Sequence, residues 1–383
     1  MATYKEIKGT GIQFLDTDPA NPLLGQIWYN TTSDSLKGTV LGGSAALGSW
    51  ASGGNVNTGR YELGSGQAAT THATNIIFGG YNGSAFVANA ETYNGTAWTE
   101  VADLNQARGA AIGGSGNSST ALAVGAYYPG AGNTGLTEEY DGSSWSESGD
   151  LNTARRSARG FGLTQNDQIY CGGYSTTLTK LTESYNGSSW TEVGDINDAR
   201  KTWGSIGTST AMLIAGGQNG SGVTVNVESW DNSSWTEIAN LNTAKTQNYS
   251  VGIQTSALSI GGDTVPNTAV AETEVWNGTA WTEVNNQNTA KYARAAVGTV
   301  TAALAAGGQP VVGIVESWNG TSWTEVADLN VAKQGMGSSG DQSTAIVFGG
   351  NNPSPGRLAT TESWNGASWT EIGDLSQAIM FGA

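Results

Sequence analysis

A ten-residue phrase, Glu91-Thr92-Tyr93-Asn94-Gly95-Thr96-Ala97-Trp98-Thr99-Glu100, returns six more times along the chain. Each copy carries an aromatic residue, a turn pair, two small residues and then a tryptophan: Trp98, Trp145, Trp190, Trp235, Trp281, Trp323 and Trp369. Successive tryptophans lie 47, 45, 45, 46, 42 and 46 residues apart. A period near 45 with several short strands per unit restricts the chain to a propeller or a solenoid. Asn-Gly or Asp-Gly between β-forming residues is the strongest short hairpin signal, and it predicts a type I′ turn with positive φ at both central residues. Five copies hold Asn-Gly, one holds Asp141-Gly142 and one Asp231-Asn232. A buried tryptophan withdraws roughly 150–250 Å² from water, an upper bound of about 4–6 kcal/mol. Seven such anchors suit a chain in which 56 of 383 residues are glycine.

Every unit also carries an apolar stretch ending in a small pair, from Ile76-Ile77-Phe78-Gly79-Gly80 to Ile346-Val347-Phe348-Gly349-Gly350, with Gly125-Ala126 in the second copy. A run without polar alternation predicts a strand buried on both faces. The terminal glycines predict a bulge or a close backbone approach. Upstream lies a strand of small residues, such as Gly109–Gly113 or Arg294–Gly298. Residues 60–372 therefore read as seven sets of four strands, an all-β chain. The order apolar strand, Gly-Gly, aromatic, tryptophan resembles the kelch family of β-propellers over most of the sequence. The resemblance implies a seven-bladed propeller over residues 47–383, with four antiparallel strands per blade. Closure of such a ring is expected to pair terminal strands, with the Trp50 segment beside the last blade.

Residues 1–46 lack the repeat and are too few to fold without help. Gln26-Ile27-Trp28-Tyr29, a polar turn over Asn30–Ser35 and Leu36-Lys37 predict one hairpin. The stretch GQIWYNTTSDSLKG is similar to short N-terminal segments of bacteriophage tail-fibre and other virion proteins. That resemblance implies an attachment or oligomerisation arm, carrying Trp28 and Tyr29, that docks on other virion structural proteins. The alternative is a strap lying on the propeller.

A formal charge of −16 argues against a basic nucleic-acid surface and against binding an anionic membrane. No window approaches a membrane span, and no apolar run follows the N-terminal lysines as a signal peptide requires. The expected place of the protein is a virion assembled in a host cytoplasm. Cys171 is the only cysteine and lies in an apolar strand, so it reads as a buried small residue. His72 is the only histidine, too few for a metal cluster. No catalytic set is visible, and neither enzyme activity nor a cofactor is expected.

Two groups of residues remain as binding candidates. The exit loop after each fourth strand holds one basic residue: Arg60, Arg108, Arg155, Arg200, Lys245, Lys291 and Lys333. Alternating strand direction puts these loops on the same face as those between second and third strands. A ring of positive charge at the channel mouth would take acidic glycans or phosphates. The alternative is internal pairing with the glutamates that recur in every unit, such as Glu138 and Glu147. The loops between second and third strands vary most, and variable loops on a rigid scaffold carry specificity. There Tyr81, Tyr127 and Tyr128 are candidates for stacking on a sugar, ordinary loop packing being the alternative.

The reading that results is a non-enzymatic virion protein, a tail-fibre, receptor-binding or decoration component, binding host protein or glycan. Rival readings are a carbohydrate-active kelch enzyme, which needs a non-repeated acid, base or metal cluster at the channel mouth, and a cytoplasmic interaction scaffold, for which the first 46 residues are dispensable.

Overall fold

The computed structural model of the chain describes the strands at 13–15, 27–30 and 35–38 as backbone. It also describes 63–372 apart from 66–73, 83, 96–97, 110–112, 129, 131, 202–203, 265–267, 293–294, 353–355 and 359. The chain divides into two compact units, Met1–Ala51 and Ser52–Ala383. In the first, Ile27–Asn30 pairs antiparallel with Ser35–Gly38, Trp28 opposite Lys37 and Tyr29 opposite Leu36. This is the expected hairpin. Gln13–Leu15 joins it in parallel, with Gln13 opposite Trp28, a pairing that no local pattern announces.

The second unit holds seven four-stranded antiparallel sheets among the described residues. The first is Gly64–Ser65, Asn75–Phe78, Ala90–Tyr93 and Trp98–Val101, and the last is Gly337–Gly340, Ala345–Phe348, Thr361–Trp364 and Trp369–Ile372. Among the described residues each sheet comes from one continuous stretch. The Trp50 segment, expected beside the last sheet, lies outside the described residues.

Second strands such as Ile76-Ile77-Phe78 and Met212–Ala215 are buried at every position, as their unbroken apolar runs require. Fourth strands such as Trp145–Glu147, Trp190–Glu192 and Trp235–Glu237 bury their tryptophan and expose the Ser-Glu or Thr-Glu that follows. Those fourth strands are short edges ending on a charge, a pattern that blunts edge-to-edge association.

Apolar clusters join each sheet to the next. Ile76 and Phe78 of the first pack with Ala121, Tyr140 and Trp145 of the second, Phe78 lying 5.0 Å from Trp145 between ring centroids. Five further clusters repeat this between successive sheets. A seventh gathers Leu63, Ile77, Tyr93 and Trp98 of the first sheet with Ile346, Phe348 and Ile372 of the last. Trp98 and Phe348 are 5.4 Å apart there.

The hairpin within each repeat differs from the expected two-residue type I′ turn. Tyr140 pairs directly with Trp145, which leaves a four-residue loop, Asp141–Ser144. The Asp141 carboxylate accepts the N–H groups of Ser143 and Ser144, both at 2.8 Å. Asn186, Asn277, Asn319 and Asn365 do the same with their amide oxygens. Only the second loop residue takes positive φ: 97° at Gly142, and 75° at Asn232, which stands in for glycine. The side-chain bond substitutes for the backbone turn. The aromatic pair is as expected, Tyr140 and Trp145 lying 5.2 Å apart.

Candidate functional site

The linker into each sheet reads Asn, two residues, then Arg or Lys, and the structure explains that spacing. Arg155 and Glu183 form an ion pair with side chains 0% and 1% exposed. Arg155 Nη2 also donates to Tyr170 O at 2.8 Å, and Asn152 donates its backbone N–H (2.7 Å) and Nδ2 (2.8 Å) to the other Glu183 oxygen. The same arrangement pairs Arg108 with Glu138, Arg200 with Glu228 (3.1 Å), Lys245 with Glu274 (3.1 Å), Lys291 with Glu316 (3.2 Å) and Lys333 with Glu362 (2.8 Å). Burial pulls Arg108 and Arg200 below the usual guanidinium pKa, with Glu138 and Glu228 opposing.

These six basic residues are thus sealed in pairs with carboxylates from the same repeat set, as the pairing alternative expected. They do not stand at a mouth open to anions. Arg60 lies outside the described residues, and Glu91, its counterpart in the pattern, is buried.

Each linker also grips the preceding sheet. The carbonyl of Lys245 accepts the Gly217 N–H at 2.9 Å, and that of Arg108 accepts the Gly80 N–H at 2.8 Å. Gly216 and Gly217 have φ of 71° and 103°, and a Cβ on Gly216 would come within 2.4 Å of Lys245 O. The Gly-Gly pair is therefore the bare backbone on which the linker seats. Ala126 holds the second position with φ of 112°, and its N–H bond to Arg155 O is longer, 3.3 Å.

Beyond these glycines the variable loops form a tier of small hairpins. Tyr127–Tyr128 pairs with Gly132–Asn133, and Gln218–Asn219 with Gly222–Val223. Bridges tie the tier to the residue after the linker base: Tyr127 to Gly109, Tyr174 to Arg156, Asp263 to Thr246 and Gln309 to Tyr292.

Aromatic side chains from three successive loops meet there. Tyr81 lies 5.0 Å from Phe86 and Phe86 5.8 Å from Tyr127, between ring centroids. The guanidinium carbon of Arg156 stands over Tyr127 at 5.2 Å and over Tyr174 at 5.4 Å. Asn133 donates Nδ2 to Tyr174 O at 3.1 Å, fastening the second loop to the third. Gly109 admits Phe86, since a Cβ there would fall 2.7 Å from the ring. All five side chains of this ladder are half-exposed.

The structure thus joins two of the three expected tyrosines, Tyr81 and Tyr127, through Phe86. Tyr128 is half-exposed beside them. Sequence reasoning missed Phe86, Arg156 and Tyr174, whose only signal was their place after Gly-Gly or after the linker base. Trp28 and Tyr29 lie on the middle strand of the first unit's sheet.

In later sheets the equivalent positions are polar. Asp263 is 3% exposed, its Oδ1 has no hydrogen-bond partner among the described residues, and burial raises its carboxyl pKa to about 6. A carboxyl raised above its unfolded value of 3.8 binds protons more tightly when folded, so its contribution to stability grows as pH falls through 6 and levels off below 3.8. Asp263→Asn is accordingly expected to unfold at higher denaturant than the parent at pH 7. Urea titrations at pH 7, 5 and 3.5 should find that advantage shrinking as pH falls.

Cys171 is buried, and burial pushes its thiol up to about 12, which suits the expected inert small residue. His72 lies outside the described residues. No family model and no curated protein matches this chain.

Proposed function

We propose that residues 52–383 form a closed, seven-bladed, kelch-like β-propeller, and that the chain is a non-enzymatic virion protein of the tail-fibre, receptor-binding or decoration class. The closed ring is supported by the apolar cluster that brings Trp98 of the first sheet onto Phe348 of the last. Seven repeated sheets, with a buried ion pair at each of the six linkers between them, make a stiff frame. What varies between repeats is the loop tier, and that is where a binding module places specificity.

The first unit is the docking arm. Its hairpin carries the Trp28-Tyr29 segment that resembles virion proteins, and it is compact in its own right. The loop tier faces host protein or glycan while the arm holds the particle.

The test uses the full chain with Trp28→Ser and Tyr29→Ser together. The parent is expected to capture a purified tail or baseplate protein, or to self-associate by light scattering, and the variant to lose that property while its tryptophan fluorescence remains that of the folded parent. If parent and variant behave alike and neither captures a virion protein, the attachment reading fails.

A further inference from the structure

Arg156 stands apart from the base beside it. Arg155 is fully buried against Glu183, whereas Arg156 is half-exposed. Among the described residues the Arg156 guanidinium meets no carboxylate and no hydrogen-bond acceptor, only the rings of Tyr127 and Tyr174. Contact with aromatic rings holds a guanidinium in place without neutralising it, and its five N–H donors remain available. In a chain of net charge −16, with six other bases locked in buried pairs, an oriented and unneutralised cation at the surface selects for a negative ligand.

We propose that Arg156, framed by Tyr127 and Tyr174 and extended by Phe86 and Tyr81, binds a carboxylate-bearing sugar, a uronic or sialic acid residue of a surface polysaccharide. The proposal rests on reading the loop tier as the binding face. A planar guanidinium takes a carboxylate through two parallel N–H bonds. The half-exposed rings beside it offer apolar, electron-rich faces to the C–H side of a pyranose, and the tyrosine hydroxyls suit its hydroxyl groups.

An acidic peptide fits less well. Extended peptides gain affinity by pairing with an open strand edge, but the main chain of Tyr127 is already bridged to Gly109 and Asn133, and that of Tyr174 to Arg156 and Leu178. A polyanion such as nucleic acid would meet a single cation on an acidic protein.

Saturation-transfer NMR on the full chain, with glucuronic acid, N-acetylneuraminic acid, glucose and acetate as probes, tests this. At least one acidic sugar is expected to bind about tenfold or more tighter than both glucose and acetate. Arg156→Gln should lose at least about tenfold of that affinity, the scale of a charge-assisted pair, and Arg156→Lys should fall between. Tyr174→Leu, which removes one side of the frame, should also weaken binding. Thermal unfolding verifies that each variant stays folded.

The site is overturned if no acidic sugar binds, if acetate or glucose binds as well, or if Arg156→Gln binds undiminished. It is also overturned if an Asp/Glu-rich peptide binds the same ladder more tightly than any acidic sugar. Sugar binding without capture of a virion protein leaves the sugar site standing and removes the attachment reading, whereas capture through the arm without sugar binding removes the sugar site alone.

Discussion

Arg155→Met is expected to lower the free energy of unfolding by about 3–5 kcal/mol, the range for removing one partner of a buried ion pair. The Glu183 side chain is 1% exposed and cannot recover water in place of the guanidinium. The variant also loses the bonds from Arg155 to Thr153 O and Tyr170 O, which tie the linker to its own loop and to the second strand.

Arg155→Lys should cost much less, because Lys245, Lys291 and Lys333 perform the same office in later sheets, each reaching its glutamate and a nearby carbonyl. Glu183→Leu should cost more than Glu183→Gln, since only the amide keeps an acceptor for the two donors of Asn152. Lys180, which is exposed, provides the control: Lys180→Ala should stay within about 0.5 kcal/mol of the parent. Urea midpoints followed by tryptophan fluorescence give the ranking, and an Arg155→Met midpoint equal to the parent's would sink the account of the linker as a staple.

The staple shows where sequence reading reaches and where it stops. Opposite charges recurring at one position per repeat pointed to pairing, and the second strands were plain because an unbroken run like Ile76-Ile77-Phe78 has no polar side to expose. Which glutamate pairs was not legible. Glu138 and Glu147 face each other across two strands, and only the fold buries the first and leaves the second at the edge. The turn was misread because Asn-Gly is consistent both with a type I′ turn and with a loop in which the asparagine side chain supplies the missing acceptor. The aromatic ladder was half legible. Tyr81 and Tyr127 sit in conspicuous loops, but Arg156 looks like a duplicate of Arg155 until the fold of the linker buries one against Glu183 and leaves the other half-exposed beside Tyr127.

Trp98→Ala is expected to destabilise the whole second unit by about 3–5 kcal/mol, the range for a large core side chain, in one cooperative transition. Its partner Phe348 belongs to the last sheet, so the ring proposed above would transmit the loss to both ends of the repeat. An open array would instead let the first sheet fray, and the variant would then show a small early transition with the main midpoint unmoved.

The interfaces between sheets allow a finer comparison. The indole N–H of Trp190 donates to Thr137 Oγ1 at 2.9 Å, that of Trp235 to Thr182 at 3.1 Å and that of Trp323 to Thr273 at 2.9 Å. Each bond crosses from one sheet to the preceding one. The first and last sheets carry the same chemistry, Trp98 and Thr361, both buried, yet among the described residues neither Trp98 Nε1 nor Thr361 Oγ1 has a hydrogen-bond partner. Thr182→Val is therefore expected to cost about 1–3 kcal/mol by leaving the Trp235 N–H unsatisfied, and Thr361→Val less than about 0.5 kcal/mol. Equal costs would mean that the last interface closes in solution as tightly as the internal ones, with the seventh Thr–Trp bond made. The expected inequality would mark it as the seam of the proposed ring, packed by Trp98 and Phe348 but lacking, among the described residues, the polar bond that crosses three of the other six.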